Sequence, residues 1–184
     1  MLYEQIQKYV PVNEQEQADQ KAILDFMKHY DNVLSRVNQI AHFSASGWTV
    51  NKDRNKVLMI YHNLYNSWAW TGGHADGEEN LLNVALRELT EESGIQTVKP
   101  ITYEICSMEI LTVDGHIKHG AYVPSHLHLN VTYLLEADDR EELIVKPDEN
   151  SGVKWFSTDD VLKACSEPWM HQIYRKLLCR MKEY

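Results

Sequence analysis

Between Asn80 and Gly94 the apolar residues recur at helical spacing, and the chain on either side has to be arranged around that helix. Leu81, Leu82, Ala85 and Leu89 would form its buried stripe. Asn80 is of a type that caps a helix start, and Gly94 stands where a left-handed residue would end it. On the same helix Glu88, Glu91 and Glu92 fall at i, i+3 and i+4, so three carboxylates share one patch. At an effective dielectric near 20, two such charges about 6 Å apart repel by roughly 3 kcal/mol. In full solvent the cost falls to about a few tenths of a kcal/mol per pair. The patch is therefore either a solvated acidic face or a seat for a hard divalent cation, which prefers oxygen ligands and cancels the repulsion.

The residues before the helix decide between these. Gly73, five residues, Glu79, seven residues, then Arg87-Glu88-Leu89-x-Glu91-Glu92-x-Gly94-Ile95 resembles the Nudix box at every fixed position. On that basis the chain is identified as a member of the Nudix family. The resemblance covers roughly residues 41–166. It implies an α+β fold, an α/β/α sandwich with a mixed sheet, and Mg²⁺- or Mn²⁺-dependent hydrolysis of a diphosphate linked to another group, most often a nucleoside diphosphate derivative. By motif position it implies Glu88, Glu91 and Glu92 as metal ligands, with Glu91 or Glu92 also working partly as a base. Arg87 would orient a neighbouring glutamate, Gly73 would let the backbone turn into the site, and Glu79 is a secondary candidate. A further carboxylate often precedes the last strand of such folds. Glu149 is placed like that residue, with Asp148 as its rival; a solvated acidic loop reads this stretch equally well.

Composition bounds the partners. At 184 residues one domain is the default, with residues 1–40 as a helical extension ahead of a domain over 41–184. A net charge of −9 argues against unspecific binding to nucleic acid or to an anionic membrane. It leaves room for a small diphosphate substrate, because a divalent metal inverts the local sign. No stretch is long and apolar enough to span a membrane, the first residues lack a signal pattern, and Cys106, Cys165 and Cys179 lack metal spacing. These features suggest a cytoplasmic protein with reduced, buried or half-buried thiols, and the extra helices make a homodimer plausible.

Along the chain, Asn13 and Glu16 read as a capping box for a helix carrying Ile23, Leu24, Met27 and Tyr30. Residues 42–50 and 56–61 read as paired strands, and Asp114-Gly115 as a hairpin turn. Ser157 would cap a helix starting near Thr158, and Pro168 would sit in the first turn of a last helix carrying Trp169, Ile173, Leu177 and Leu178. Residues 126–137 alternate, with His126, His128, Asn130 and Thr132 on one face. The histidines could bind phosphate, stack on a base or take a metal; the preferred reading is polar residues on a partly exposed sheet face. Tyr65, Trp68 and Trp70 could stack on a base, but packing is the commoner role for aromatics before a tight turn.

Two rivals remain. His42-Phe43-Ser44-Ala45-Ser46-Gly47-Trp48 and Gly73-His74 are similar to stretches of isopentenyl diphosphate isomerase, in which histidines at such positions bind metal and a cysteine before the Gly-His pair protonates substrate. Here that position is Gly72, and the hydrolytic box is intact. His42 and His74 are nonetheless expected at the site mouth as second metal or phosphate contacts. A non-catalytic nucleotide-sensing module ranks last, since such modules commonly lose box glutamates.

Overall fold

The computed structural model describes residues 1–118 and 120–184. Two helices, α1 (Leu2–Lys8) and α2 (Glu14–His29), precede β1 (Ala41–Val50), β2 (Lys56–His62), β3 (Ser67–Ala69) and β4 (Thr71–His74). Helix α3 (Leu81–Ser93) leads to β5 (Val98–Pro100), β6 (Ser107–Val113), β7 (His116–Lys118), β8 (Ala121–Val123) and β9 (His126–Ala137). β10 (Asn150–Ser157), α4 (Val161–Ala164) and α5 (Met170–Arg180) complete the order.

All ten residues of β1 are buried, which follows from its place at the centre of the mixed sheet. The path runs β10-β2-β1-β9-β5, with β4 also on β1 and β6 also on β9. β1 and β9 are parallel, with Ala41 opposite Leu127 and His42 opposite His128. β4 runs antiparallel to β1 and sets His74 opposite Ser44. The period of two then divides the side chains. Phe43, Ala45, Leu129, Val131 and Tyr133 join the apolar cluster of α3, α1 and α2, whereas Trp48, Val50 and Leu134 join that of α5.

The helix ends follow local chemistry. Gly94 ends α3 at φ 80°, a left-handed conformation that glycine adopts without strain. Asn80 is the N-cap of α3, but its side chain makes no capping bond; its N–H donates to Glu78. Asn13 does cap α2, accepting from the Glu16 N–H at 2.9 Å. The reciprocal half of the box is missing because Glu16 is used elsewhere. Fully buried, it pairs with Lys176 at 2.7 Å, and Lys176 also reaches Glu109 at 2.8 Å. Burial pushes the Glu16 carboxyl up, but Lys176 and the Val12 N–H outweigh it and hold it below its ordinary value. This triad ties α2 to β6 and α5 in one polar core.

Several boundary expectations need correction. The Asp114-Gly115 turn does not join paired strands: β7 pairs β8 in a separate ribbon, Lys118 opposite Ala121. The helix expected from Thr158 begins at Val161, because Ser157 and Asp160 first close a turn. The last helix begins at Met170, so Pro168 and Trp169 lie in the turn ahead of it, and Trp169 is exposed. The polar face of β9 is buried at Asn130 and Thr132, at 1% and 0%, and stays partly exposed at His128, which borders the cleft. Cys106 and Cys165 are buried and Cys179 is exposed. Among the described residues no helix is long and apolar enough to cross a membrane.

Candidate active site

A cleft of about 1430 Å³ runs past α3, β4 and the starts of β1 and β9. Its acidic wall is built by α3 against β4. Glu92 is 2% exposed and accepts the Gly72 N–H at 2.9 Å. Glu88 lies over Gly73 so closely that a Cβ there would collide with its carboxylate. That proximity, rather than a turn, is what requires glycine at 73: its φ is not positive. Arg87 donates to Glu88 at 2.8 Å and to the His74 carbonyl at 3.3 Å, and its Nε lies 3.8 Å from Glu91. It thus spans two box glutamates instead of gripping one through both its nitrogens.

Glu149, in the turn before β10, faces the same wall. Lys146 joins it to α3, with its Nζ 2.9 Å from Glu149 and 3.0 Å from Glu91. Asp148 also lines the cleft. Glu79 is exposed and outside the lining. Burial pushes the Glu88 carboxyl up, opposed by Arg87 and reinforced by Glu91 and Glu149. Glu92 is held well above its ordinary value, mainly by burial, with Glu88 and Glu149 adding to it and the Gly72 N–H opposing. Two carboxyls that resist ionisation, close to two others, make a wall with strong affinity for positive charge.

The other polar wall is imidazole. The β1–β9 register and the β1–β4 pairing bring His42, His74, His126 and His128 together, with one ring nitrogen of each within 4.8 Å of the rest. His74 Nε2 is 3.1 Å from His128 Nε2, which is 3.2 Å from His126 Nε2. Burial lowers His74 to about 3, with Arg36 adding to it, and lowers His128 to about 2, with the crowding of the other imidazoles adding to it; burial also lowers His42. These rings are neutral at physiological pH. Behind them Ser44 and Ser46 donate to Asn130, whose amide reaches Glu109 at 3.3 Å, so polar residues run from the cleft to the Lys176 core. Tyr65, Trp70, Trp169 and Met170 give the cleft an apolar side. Trp68 packs on Phe156 and Tyr61 outside it.

Of the residues singled out in the sequence, Glu88, Glu91, Glu92, Glu149, His42 and His74 line the cleft and Glu79 does not. Lys146 lines it without having been singled out, though it stands in the same Lys-Pro-Asp-Glu run as Glu149. The same holds for Arg36, whose two contacts with Asp76 at 2.7 Å close one rim of the cleft. A basic residue three positions before a candidate base carries a signal; Arg36, distant in sequence from every motif, carries none.

Comparison with known proteins fits this geometry. The chain is 31% identical over 112 residues to the m7GpppN-mRNA hydrolase NUDT17 of Xenopus laevis, a match covering 58% of this chain and 36% of that protein. The chain thus spans about a third of the length of that curated relative. The fold is shared with solved structures of low identity. A dihydroneopterin triphosphate pyrophosphohydrolase from E. coli has TM-score 0.56 and 16% identity, covering 74% of this chain and 94% of that one. A NUDIX family hydrolase from Clostridium perfringens has TM-score 0.53 and 20% identity, covering 76% and 97%. An Ap4A hydrolase from C. elegans has TM-score 0.52 and 17% identity, covering 79% and 99%. The model of the NUDIX domain matches residues 41–177, from the first buried strand to the last helix, and includes both walls of the cleft. On the strength of that match this chain belongs to the NUDIX domain family.

Proposed function

We propose that the chain hydrolyses a diphosphate bond in a nucleoside diphosphate linked to another group, or in a related organic diphosphate, with Mg²⁺ or Mn²⁺. The observation that carries this reading is that Glu88, Glu91, Glu92 and Glu149 all line one cleft, where Lys146 bridges Glu91 and Glu149. An all-carboxylate donor set fits a hard divalent cation. Glu88, Glu91 and Glu92 would hold it, and when bound it supplies acidification of water and neutralisation of phosphate charge.

The chain's own residues do the rest. Glu149 accepts the proton of the attacking water, with Asp148 beside it on the cleft rim. Arg87 fixes Glu88 and limits its drift from Glu91. Tyr65, Trp70 and Met170 receive the organic part of the substrate. The activities named for the similar proteins, on Ap4A, m7GpppN-mRNA and dihydroneopterin triphosphate, support a phosphoanhydride substrate. The isomerase reading lacks its acid, since none of the three cysteines lines the cleft.

The test is turnover across nucleoside triphosphates, nucleotide sugars, dinucleotides, m7G-capped RNA and non-nucleotide diphosphates, with each metal, beside Glu91→Gln and Glu92→Gln. Removing a partner of a metal ligand costs roughly 10–100-fold, so losing a ligand should cost at least about 100-fold. Metal-dependent turnover of one small-molecule class, lost in both variants, is the expected result. A bound metal with no turnover of any compound would overturn the hydrolase in favour of a sensor.

A further inference from the structure

Among the described residues, the imidazole wall brings four ring nitrogens together and leaves one of them, His42 Nε2, without a hydrogen-bond partner. A carbonyl only accepts, so the contacts of His42 Nδ1 with Asn38 O and of His126 Nδ1 with Pro124 O, both 2.9 Å, place the ring hydrogens on those nitrogens. Nε2 is then the ring nitrogen of His42 and of His126 left to take another partner. His42 Nε2 is buried without a partner. His128 Nε2 faces both His74 Nε2 and His126 Nε2, and one hydrogen on it serves only one contact well. Four ring nitrogens therefore converge in a pocket where His42 and His126 are 4% and 9% exposed. Unpaired buried acceptors are costly, and a cation relieves all of them together.

We infer that His42, His74, His126 and His128 form a second metal site, distinct from the glutamate wall and selective for a borderline transition cation of the Zn²⁺ type. Imidazole suits such ions, whereas Mg²⁺ prefers oxygen. A metal–nitrogen bond of about 2.0 Å in a tetrahedron gives an N···N edge of roughly 3.3 Å. The 3.1 and 3.2 Å separations already approach that edge, and the 4.8 Å limit leaves the remaining ones a modest contraction. Asn38 O and Pro124 O fix two of the rings by accepting their Nδ1 hydrogens, which is how metal-bound histidines are commonly oriented. No carboxylate takes part in the set.

The experiment titrates Co²⁺ and Zn²⁺ into the chelator-treated protein and follows the visible d–d absorption of Co²⁺ and the thermal midpoint with Zn²⁺. Wild type, Glu91→Gln and His116→Gln should each take up one equivalent of Co²⁺ with intense tetrahedral bands, retained in roughly hundred-fold excess Mg²⁺. His42→Gln and His128→Gln should lose those bands, bind at least about ten-fold more weakly and gain no thermal shift from Zn²⁺. Circular dichroism verifies that the variants fold; if either does not, His74→Gln on the cleft side replaces it. Bands that persist in the histidine variants, disappear in Glu91→Gln or never form would overturn the site. The readout involves no substrate, so it stands or falls separately from the hydrolytic reading.

Discussion

A hydrogen atom is all that the space beneath Glu88 admits at Gly73, and the neighbouring Gly72 is confined differently. A Cβ at 73 would meet only the end of a flexible side chain, the Glu88 carboxylate. A Cβ at 72 would lie 2.7 Å from the Ala45 carbonyl and 2.9 Å from the Ser46 Cα, so the backbones of β1 and β4 would have to part. The two alanine variants should therefore separate function from folding. Gly73→Ala should keep its thermal midpoint within a few degrees while displacing Glu88, and a displacement near 1 Å at such a centre costs about 100-fold in turnover. Gly72→Ala should lose about 1–3 kcal/mol in denaturant unfolding, the usual cost of overpacking. Equal losses of stability in both would show that Glu88 is as rigid as the strand, contrary to the steric argument.

At the scale of elements, α2 protects an edge. β6 pairs β9 on one side only, and its other side would offer free N–H and C=O groups to any passing strand. Side chains of α2 occupy them: Asp19 accepts the Ile110 N–H at 3.0 Å and Gln15 donates to the Met108 carbonyl at 3.1 Å. Asp19→Ala should cost about 1–3 kcal/mol by leaving that N–H unpaired and should raise the aggregation rate on heating. Asp19→Asn, which keeps an acceptor, should lose much less. Loss of stability without any change in aggregation would show that α2 shields the edge by bulk alone. This relationship could not be read from the sequence. The helical period around Ile23 marks α2 as amphipathic, but nothing in it says that its polar residues would serve a strand some 90 positions away. The same limit explains the histidines. Their alternation in β9 was visible, yet the site needs the parallel register to β1 and the antiparallel return of β4, which are tertiary choices. The glutamate wall was legible because most of it is one helix, where spacing alone fixes the face. Local turn chemistry misled at Asp114-Gly115 and Thr158, where short-range signals were real but served a linker and a turn.

Across the whole molecule, the cleft joins parts of the chain that only the complete fold brings together, and Lys146 is the bolt between them. It reaches from the loop before β10 to Glu91 on α3 while holding Glu149, and Asn150 beside it donates to the Glu92 carbonyl at 2.9 Å. Burial opposes its charge, but Glu149 and Glu91 outweigh that and raise its pKa. The ammonium and a divalent cation would claim the same carboxylates, so the two compete. Lys146→Met should then lower the thermal midpoint in chelator, where Glu91 and Glu149 repel one another unscreened. The loss should be small, since the pair is partly solvated. With Mg²⁺ or Mn²⁺ the order should reverse. A ligand at about 100 times its dissociation constant stabilises by roughly 2.7 kcal/mol, and a variant that binds several-fold more tightly gains more at equal concentration. Thermal unfolding across a metal titration measures both terms on one protein. Tighter binding in Lys146→Met would identify Lys146 as the resident counter-cation of the acidic wall. Weaker binding would show instead that it holds Glu91 and Glu149 in position for the ion, and that the wall assembles only when the loop before β10 is docked on α3.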